Sequence, residues 1–179
     1  MRNKLSTRRM ALFSALLAIS LVLSVVESML GALVPLPIPG VKLGLANIVS
    51  MFLLSYFSLP AALTVGLLRA FVASLFTGGL GMFLYSAPGV LMSILAMFAA
   101  FKVIKPLSLV GISMIGACVH NIMQVCVAVL LTSESRLFYY AFVLLIIGAV
   151  SGTITGVVAR VSFSRIAAAL KISGSQKAQ

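Results

Sequence analysis

The 179 residues are 62% hydrophobic and only 8% charged, with a mean hydropathy of +1.24, whereas an ordinary soluble domain is roughly 45–50% apolar and about 25% charged. No soluble core absorbs so much apolar surface. A bilayer does, because each spanning helix takes about 20 apolar residues and hydrocarbon covers what the protein leaves exposed.

The net charge of +11 does not mark a nucleic-acid partner, because the basic residues flank apolar runs instead of gathering on one solvated face. Met1 to Arg9 form a basic head. The apolar run from Met10 to about Leu33 exceeds the roughly 7 to 15 residues of a signal-peptide core, lacks a clear small-x-small cleavage site and leads into further spans, so it is read as the first membrane helix. Pro35-Leu36-Pro37-Ile38-Pro39-Gly40 cannot continue a helix and predicts a stiff extended loop.

Helix two is expected from about Leu43 to Phe57, and Ser58-Leu59-Pro60 turns the chain into helix three, which ends near Thr77. Gly78-Gly79-Leu80-Gly81 breaks the chain again. Helix four follows to about Phe101, with Pro88-Gly89 marking either a kink or a late start. After Lys102 and Lys105-Pro106, helix five covers about Leu107 to Leu131. The polar loop Thr132 to Arg136 precedes helix six, from about Leu137 to Arg160. The expected organisation is all-α and polytopic, with a basic N-terminus (1–9), a six-helix membrane domain (10–160) and a basic tail (161–179).

Six spans put both termini on one side. Arg2, Lys4, Arg8, Arg9, Lys102, Lys105, Arg160, Arg165, Lys171 and Lys177 fall on that side, against Lys42 and Arg136 on the other. Positive loops stay inside, so both termini are expected in the cytoplasm of a cell-membrane protein.

Polar groups within spans are costly and are functional candidates by default. Here they are Glu27 late in helix one, Lys42 and Asn47 at the start of helix two, Arg69 midway along helix three, and His120, Asn121 and Gln124 in helix five. In the expected topology all of these sit at middle to outer depth, and His120 and Gln124 share a face at i and i+4. Together they outline an outward-facing pocket for a small molecule, with the proline loop as a lid. The alternative is structural: Glu27 pairs with Arg69 or Lys42, and the amides hydrogen-bond between helices.

Gly148, Gly152 and Gly156 recur every four residues and predict close packing of helix six inside the bundle, while Ala11-x-x-x-Ala15 with Ser14 and Ala18 makes a smooth strip on helix one. Cys118 and Cys126 lie about 12 Å apart along a helix, too far for a disulfide. Without nearby histidine or carboxylate partners, neither is expected to hold metal.

The segment Pro39-Gly40-Val41-Lys42-Leu43-Gly44-Leu45-Ala46-Asn47-Ile48, following Glu27-Ser28, resembles a bacterial family described as heptaprenyl diphosphate synthase component I, or Gx transporter. Leu68-Arg69, Tyr85-Ser86 with Pro88-Gly89, and Val119-His120-Asn121 followed by Gln124 extend the likeness over nearly all of the six-helix region. That family is similar to the S components of energy-coupling factor transporters. The resemblance implies six helices, an outward-facing site with a lid between helices one and two, and docking onto a transmembrane coupling subunit driven by two cytoplasmic ATPases. It also assigns docking to Ala11 and Ala15.

The synthase part of the description meets a chemical obstacle, because prenyl chain elongation of the usual kind holds magnesium and diphosphate with aspartate-rich motifs. The chain has no aspartate, and its two acids are Glu27 and Glu134, too few for a clustered magnesium site. It also lacks a Walker loop. No catalytic residue, metal or cofactor is therefore expected. The leading function is an S-type binding component in which Arg69 and Lys42 receive an anionic group, since an arginine fork suits carboxylate or phosphate. Asn47, His120, Asn121 and Gln124 would fix its polar edges. The alternatives are a non-catalytic membrane subunit or anchor for prenyl diphosphate or quinone synthesis, and a small oligomeric channel.

Overall fold

A computed structural model describes residues 2–32, 44–104 and 107–169, and every regular element within them is helical. Six α-helices follow one another: α1 (Arg2–Ala32), α2 (Asn47–Tyr56), α3 (Leu59–Thr77), α4 (Gly79–Val103), α5 (Leu109–Thr132) and α6 (Tyr139–Ala169), with a 3-10 turn at Ser135–Phe138 before α6. Five stretches are long and apolar enough to cross a bilayer: Met10–Met29, Leu59–Thr77, Gly79–Val103, Leu109–Thr132 and Ser135–Phe163. The protein is thus a polytopic helical membrane bundle.

Local chemistry starts the helices where it should. The Ser58 hydroxyl accepts from the Ala61 N–H at 3.4 Å, with Pro60 in the first turn of α3. Ser108 does the same for Gly111 at 3.2 Å ahead of α5. Each hydroxyl takes up one of the amide donors that a helix start leaves unpaired.

Pro88 lies inside a continuous α4 and does not delay its start. Lacking an N–H, it leaves the Leu84 carbonyl without its intrahelical donor. The helices also outrun the expected membrane limits, α1 beginning at Arg2 and α6 continuing to Ala169.

Helix two differs most from expectation. It spans 10 residues, about 15 Å of a hydrocarbon core of about 30 Å. The cause is Gly44, whose φ of +85° is left-handed backbone that residues with a side chain disfavour. Tight turns follow it, Asn47 N–H to the Gly44 carbonyl at 3.0 Å and Ile48 N–H to Leu45 at 3.2 Å, and the helix proper begins only then.

The bundle is packed in the manner of a membrane protein, with small and polar residues inside and large apolar ones outside. On α6 the buried positions are Leu144, Gly148, Ser151, Gly152, Thr155, Gly156, Ala159 and Phe163, spaced at three and four residues along one face. Phe142, Ile146, Val150, Ile154, Val157 and Val161 face outward. The small residues let two backbones meet, as the glycine spacing predicts: a Cβ on Gly152 would stand 2.6 Å from the Met114 Cα, and one on Gly156 2.5 Å from the Val110 Cα. Between them Ser113 and Thr155 share a hydrogen bond of 2.6 Å.

At the end of the bundle that carries the termini, aromatic rings fasten α1, α2 and α6. Phe13 meets Phe57 edge-on at 5.3 Å, and Phe52 meets Phe163 at 5.1 Å. Such pairs each add roughly 0.5–1.5 kcal/mol beyond area burial.

Gly152→Ala is expected to overpack the α5–α6 contact at a cost of about 1–3 kcal/mol. The added methyl of Gly81→Ala meets nothing within 4 Å, so that variant should melt like the parent or slightly higher. Thermal unfolding of both variants in one detergent checks this; equal melting temperatures would contradict the close approach.

Candidate functional site

Opposite the aromatic end, the bundle buries a layer of polar side chains. Glu27, Asn47, Arg69, Ser86, Ser93, His120, Asn121 and Gln124 are each 5% exposed or less. Glu27 and Arg69 are the two charged side chains buried among the described residues.

Helix registers set the depths of these groups, which spread over about 12 Å because Tyr85 and Ser93 stand eight residues apart on α4. Phe71 packs edge-on to Phe83 at 5.4 Å, and a Cβ on Gly66 would stand 2.6 Å from Ile94 Cδ1, so Arg69 lies level with Tyr85 and Ser86. A Cβ on Gly89 would stand 3.1 Å from His120 Cε1, and the Ser93 hydroxyl donates to the Gly116 carbonyl at 2.8 Å. That register sets Tyr85 level with Gln124. Asn121 Nδ2 donates to the Leu144 carbonyl at 2.9 Å, joining α5 to α6 at the same height.

The carboxylate of Glu27 organises the α1–α2 side. It accepts hydrogen bonds from the backbone N–H of Gly44 and, at 3.2 Å, of Leu45. It therefore stands over the start of α2, where negative charge is favoured by the helix dipole. Gly44 in turn lies against α5, with a Cβ there 3.5 Å from that of Ala117. Asn47 Nδ2 reaches Ser93 Oγ at 3.4 Å. Arg69 lies within electrostatic reach of Glu27.

Of the sequence-predicted set, Glu27, Asn47, Arg69, His120, Asn121 and Gln124 are therefore all buried in the polar region of the bundle. Lys42 and the proline loop lie outside the described residues. The structural alternative is partly realised: Asn47 and Asn121 both bridge helices, and Glu27 is engaged by backbone and by charge. Ala11 and Ala15 lie at the other end, exposed on α1 together with Ser14 and Ala18. Cys118 and Cys126 are free and half-buried. No group of three or more His, Cys, Asp or Glu side chains comes together among the described residues.

The structure adds Tyr85, Ser86 and Ser93 to the layer. A tyrosine inside a membrane helix, away from the interfacial belt where its ring and hydroxyl are usually accommodated, was the available signal. Ser93 lies one turn beyond Gly89 on the same face, which only the α4–α5 register makes meaningful.

Three buried atoms in the layer have no hydrogen-bond partner among the described residues: Arg69 Nε, Tyr85 Oη and Asn121 Oδ1. Buried polar atoms are nearly always paired, and an arginine at the centre of a membrane helix costs about 2.5–3.5 kcal/mol even on insertion scales. Arg69 Nε is a cationic donor, Asn121 Oδ1 an amide acceptor and Tyr85 Oη a hydroxyl, so the unpartnered atoms differ in polarity.

The profile of the family described as heptaprenyl diphosphate synthase component I matches residues 16–162, and the chain belongs to that family. The family is a non-catalytic component of that synthase. No curated protein and no solved structure matches the chain.

Removing the Glu27 carboxylate should leave two backbone donors without their acceptor and the Arg69 cation without a neighbouring negative charge, so Glu27→Ala is expected to cost about 2–4 kcal/mol. Adding Arg69→Ala should restore part of the loss by deleting the stranded cation. A double-mutant cycle on detergent-solubilised protein measures this coupling, and strict additivity would show that the two charges act independently.

Proposed function

We propose that the protein is the substrate-binding, S-type component of an ATP-driven uptake transporter, and that Arg69 receives the anionic group of a small-molecule ligand. The observation that carries the proposal is an arginine 3% exposed whose Nε has no partner among the described residues. A desolvated arginine fork is matched to carboxylate or phosphate. Asn47, His120, Asn121 and Gln124 fix the ligand's polar edges, the neighbouring apolar side chains hold its body, and Lys42 is proposed as a second cation for the anionic group.

The charge distribution favours a cell-membrane protein with both termini in the cytoplasm, which turns the polar layer toward the outer half of the bilayer. The exposed Ala11–Ala15 strip then lies toward the cytoplasmic side. A surface without large side chains allows a partner helix to approach closely, and a transmembrane coupling subunit driven by two ATPases is the partner proposed for it. The chain has no Walker loop of its own, so energy for release comes from those subunits.

The family description favours a second reading, a non-catalytic membrane subunit that anchors a prenyl synthase and holds a prenyl chain. It predicts co-purification with a soluble synthase in place of a coupling subunit.

Arg69→Ala is expected to abolish ligand retention while keeping a monodisperse elution profile in detergent. Small molecules released by denaturing the purified protein and its variant, compared by mass spectrometry, provide the test. An unchanged set of released molecules in the variant would refute the role of Arg69. Replacing Ala11 and Ala15 with leucine should spare retention and lose the coupling subunit from affinity pull-downs; survival of the complex would dismiss the strip as its docking site.

A further inference from the structure

The three orphaned atoms have different polarities, and those polarities constrain the ligand. Arg69 Nε is a donor that asks for an acceptor. Asn121 is oriented by its neighbour: because Nδ2 donates to the Leu144 carbonyl at 2.9 Å, Oδ1 is the atom left without a partner, and an amide oxygen only accepts. Flipping the amide would set oxygen against carbonyl oxygen, so the orientation is dictated by the backbone of α6.

On the α4–α5 register Tyr85 is level with Gln124, about one helical turn from this amide. It belongs to one buried apolar cluster with Val125, Ala128 and Leu144, and Leu144 is the α6 residue whose carbonyl holds Asn121. Val125 follows Asn121 by one helical turn. The Tyr85 side chain is 5% exposed and its hydroxyl has no partner among the described residues. Tyr85 is also level with Arg69 through the Phe71–Phe83 contact.

Resting on the anion-binding role of Arg69, we propose that Tyr85 and Asn121 form a second subsite in the same buried polar region, which receives an O–H or N–H of the ligand. The substrate class is then an acid that also carries a hydrogen-bond donor. A simple prenyl diphosphate has no such group along its hydrocarbon chain and would leave the Asn121 oxygen buried and unmatched, a penalty that polar sites use to reject analogues lacking the group.

The test uses matched pairs of carboxylates and phosphate monoesters, the members of each pair differing by one hydroxyl or one amide N–H, together with farnesyl diphosphate. Apparent affinities come from thermal stabilisation of the full-length protein in detergent, for the parent, Arg69→Ala and Tyr85→Phe. Donor-bearing acids are expected to bind the parent about five- to tenfold more tightly than their donor-free partners, the value of one hydrogen bond. Tyr85→Phe should shrink that preference while leaving donor-free acids unchanged, and Arg69→Ala should lose both members of every pair.

Equal binding within pairs, with loss in Arg69→Ala, would overturn the second subsite and leave the anion site standing. A preference unchanged in Tyr85→Phe would remove Tyr85 from the site. Binding of farnesyl diphosphate in preference to every donor-bearing acid would also overturn the proposal. Stabilisation by none of the acids, or stabilisation undiminished in Arg69→Ala, would sink the anion site and the subsite with it.

Discussion

The hydrogen bonds from the backbone of Gly44 and Leu45 to the Glu27 carboxylate are the contact on which the rest of the polar layer depends. They tie the far end of α1 to the left-handed turn at Gly44 that precedes the start of α2. That start presents Asn47 to Ser93, and through Ser93 to the α5 backbone. The same carboxylate is the negative charge within reach of Arg69. One acid thus sets a helix start and accompanies a buried cation, a concentration of duties expected where the chain has only two acids to deploy.

Lipid explains why the layer takes this form. Outside, the hydrocarbon is as apolar as any core, so large side chains gain little by turning inward and helices associate through small residues and hydrogen bonds. The α5–α6 seam of glycine, serine and threonine is the rigid product. Against it, α4 contributes Tyr85, Ser86, Gly89 and Ser93 on one face, and Gly89 provides the room that the His120 ring occupies. Aromatic packing at the terminus end and polar bonding at the other divide the labour: one end fastens the bundle, the other keeps polar atoms at a distance from water where their pairing energies are large.

Much of this was legible in the sequence because membrane helices obey simple rules of length and polarity. The helix order, the Gly148–Gly152–Gly156 seam and the candidates from Glu27 to Gln124 all follow from apolar runs and from the few polar residues interrupting them. The short α2 was not legible, because Leu43 to Phe57 is apolar enough to read as one helix, whereas its true start follows the left-handed turn at Gly44, whose N–H is held by Glu27, 17 residues earlier in the chain. Tyr85 and Ser93 were missed for a related reason. Their membership of the layer is a matter of register between α3, α4 and α5, which periodicity along one helix does not contain. Spacing also left open whether the amides bridge helices or face a ligand; for Asn121 the nitrogen bridges and the oxygen stays available.

Native mass spectrometry of the protein extracted gently from its own host membrane measures the central claim, that the buried Arg69 layer holds an anionic small molecule, most directly. The predicted result is a single bound acid of low mass per chain, accompanied by a coupling subunit and two ATPases. A chain that carries no small molecule, or one that retains a prenyl diphosphate and travels with a soluble prenyl synthase, would contradict it.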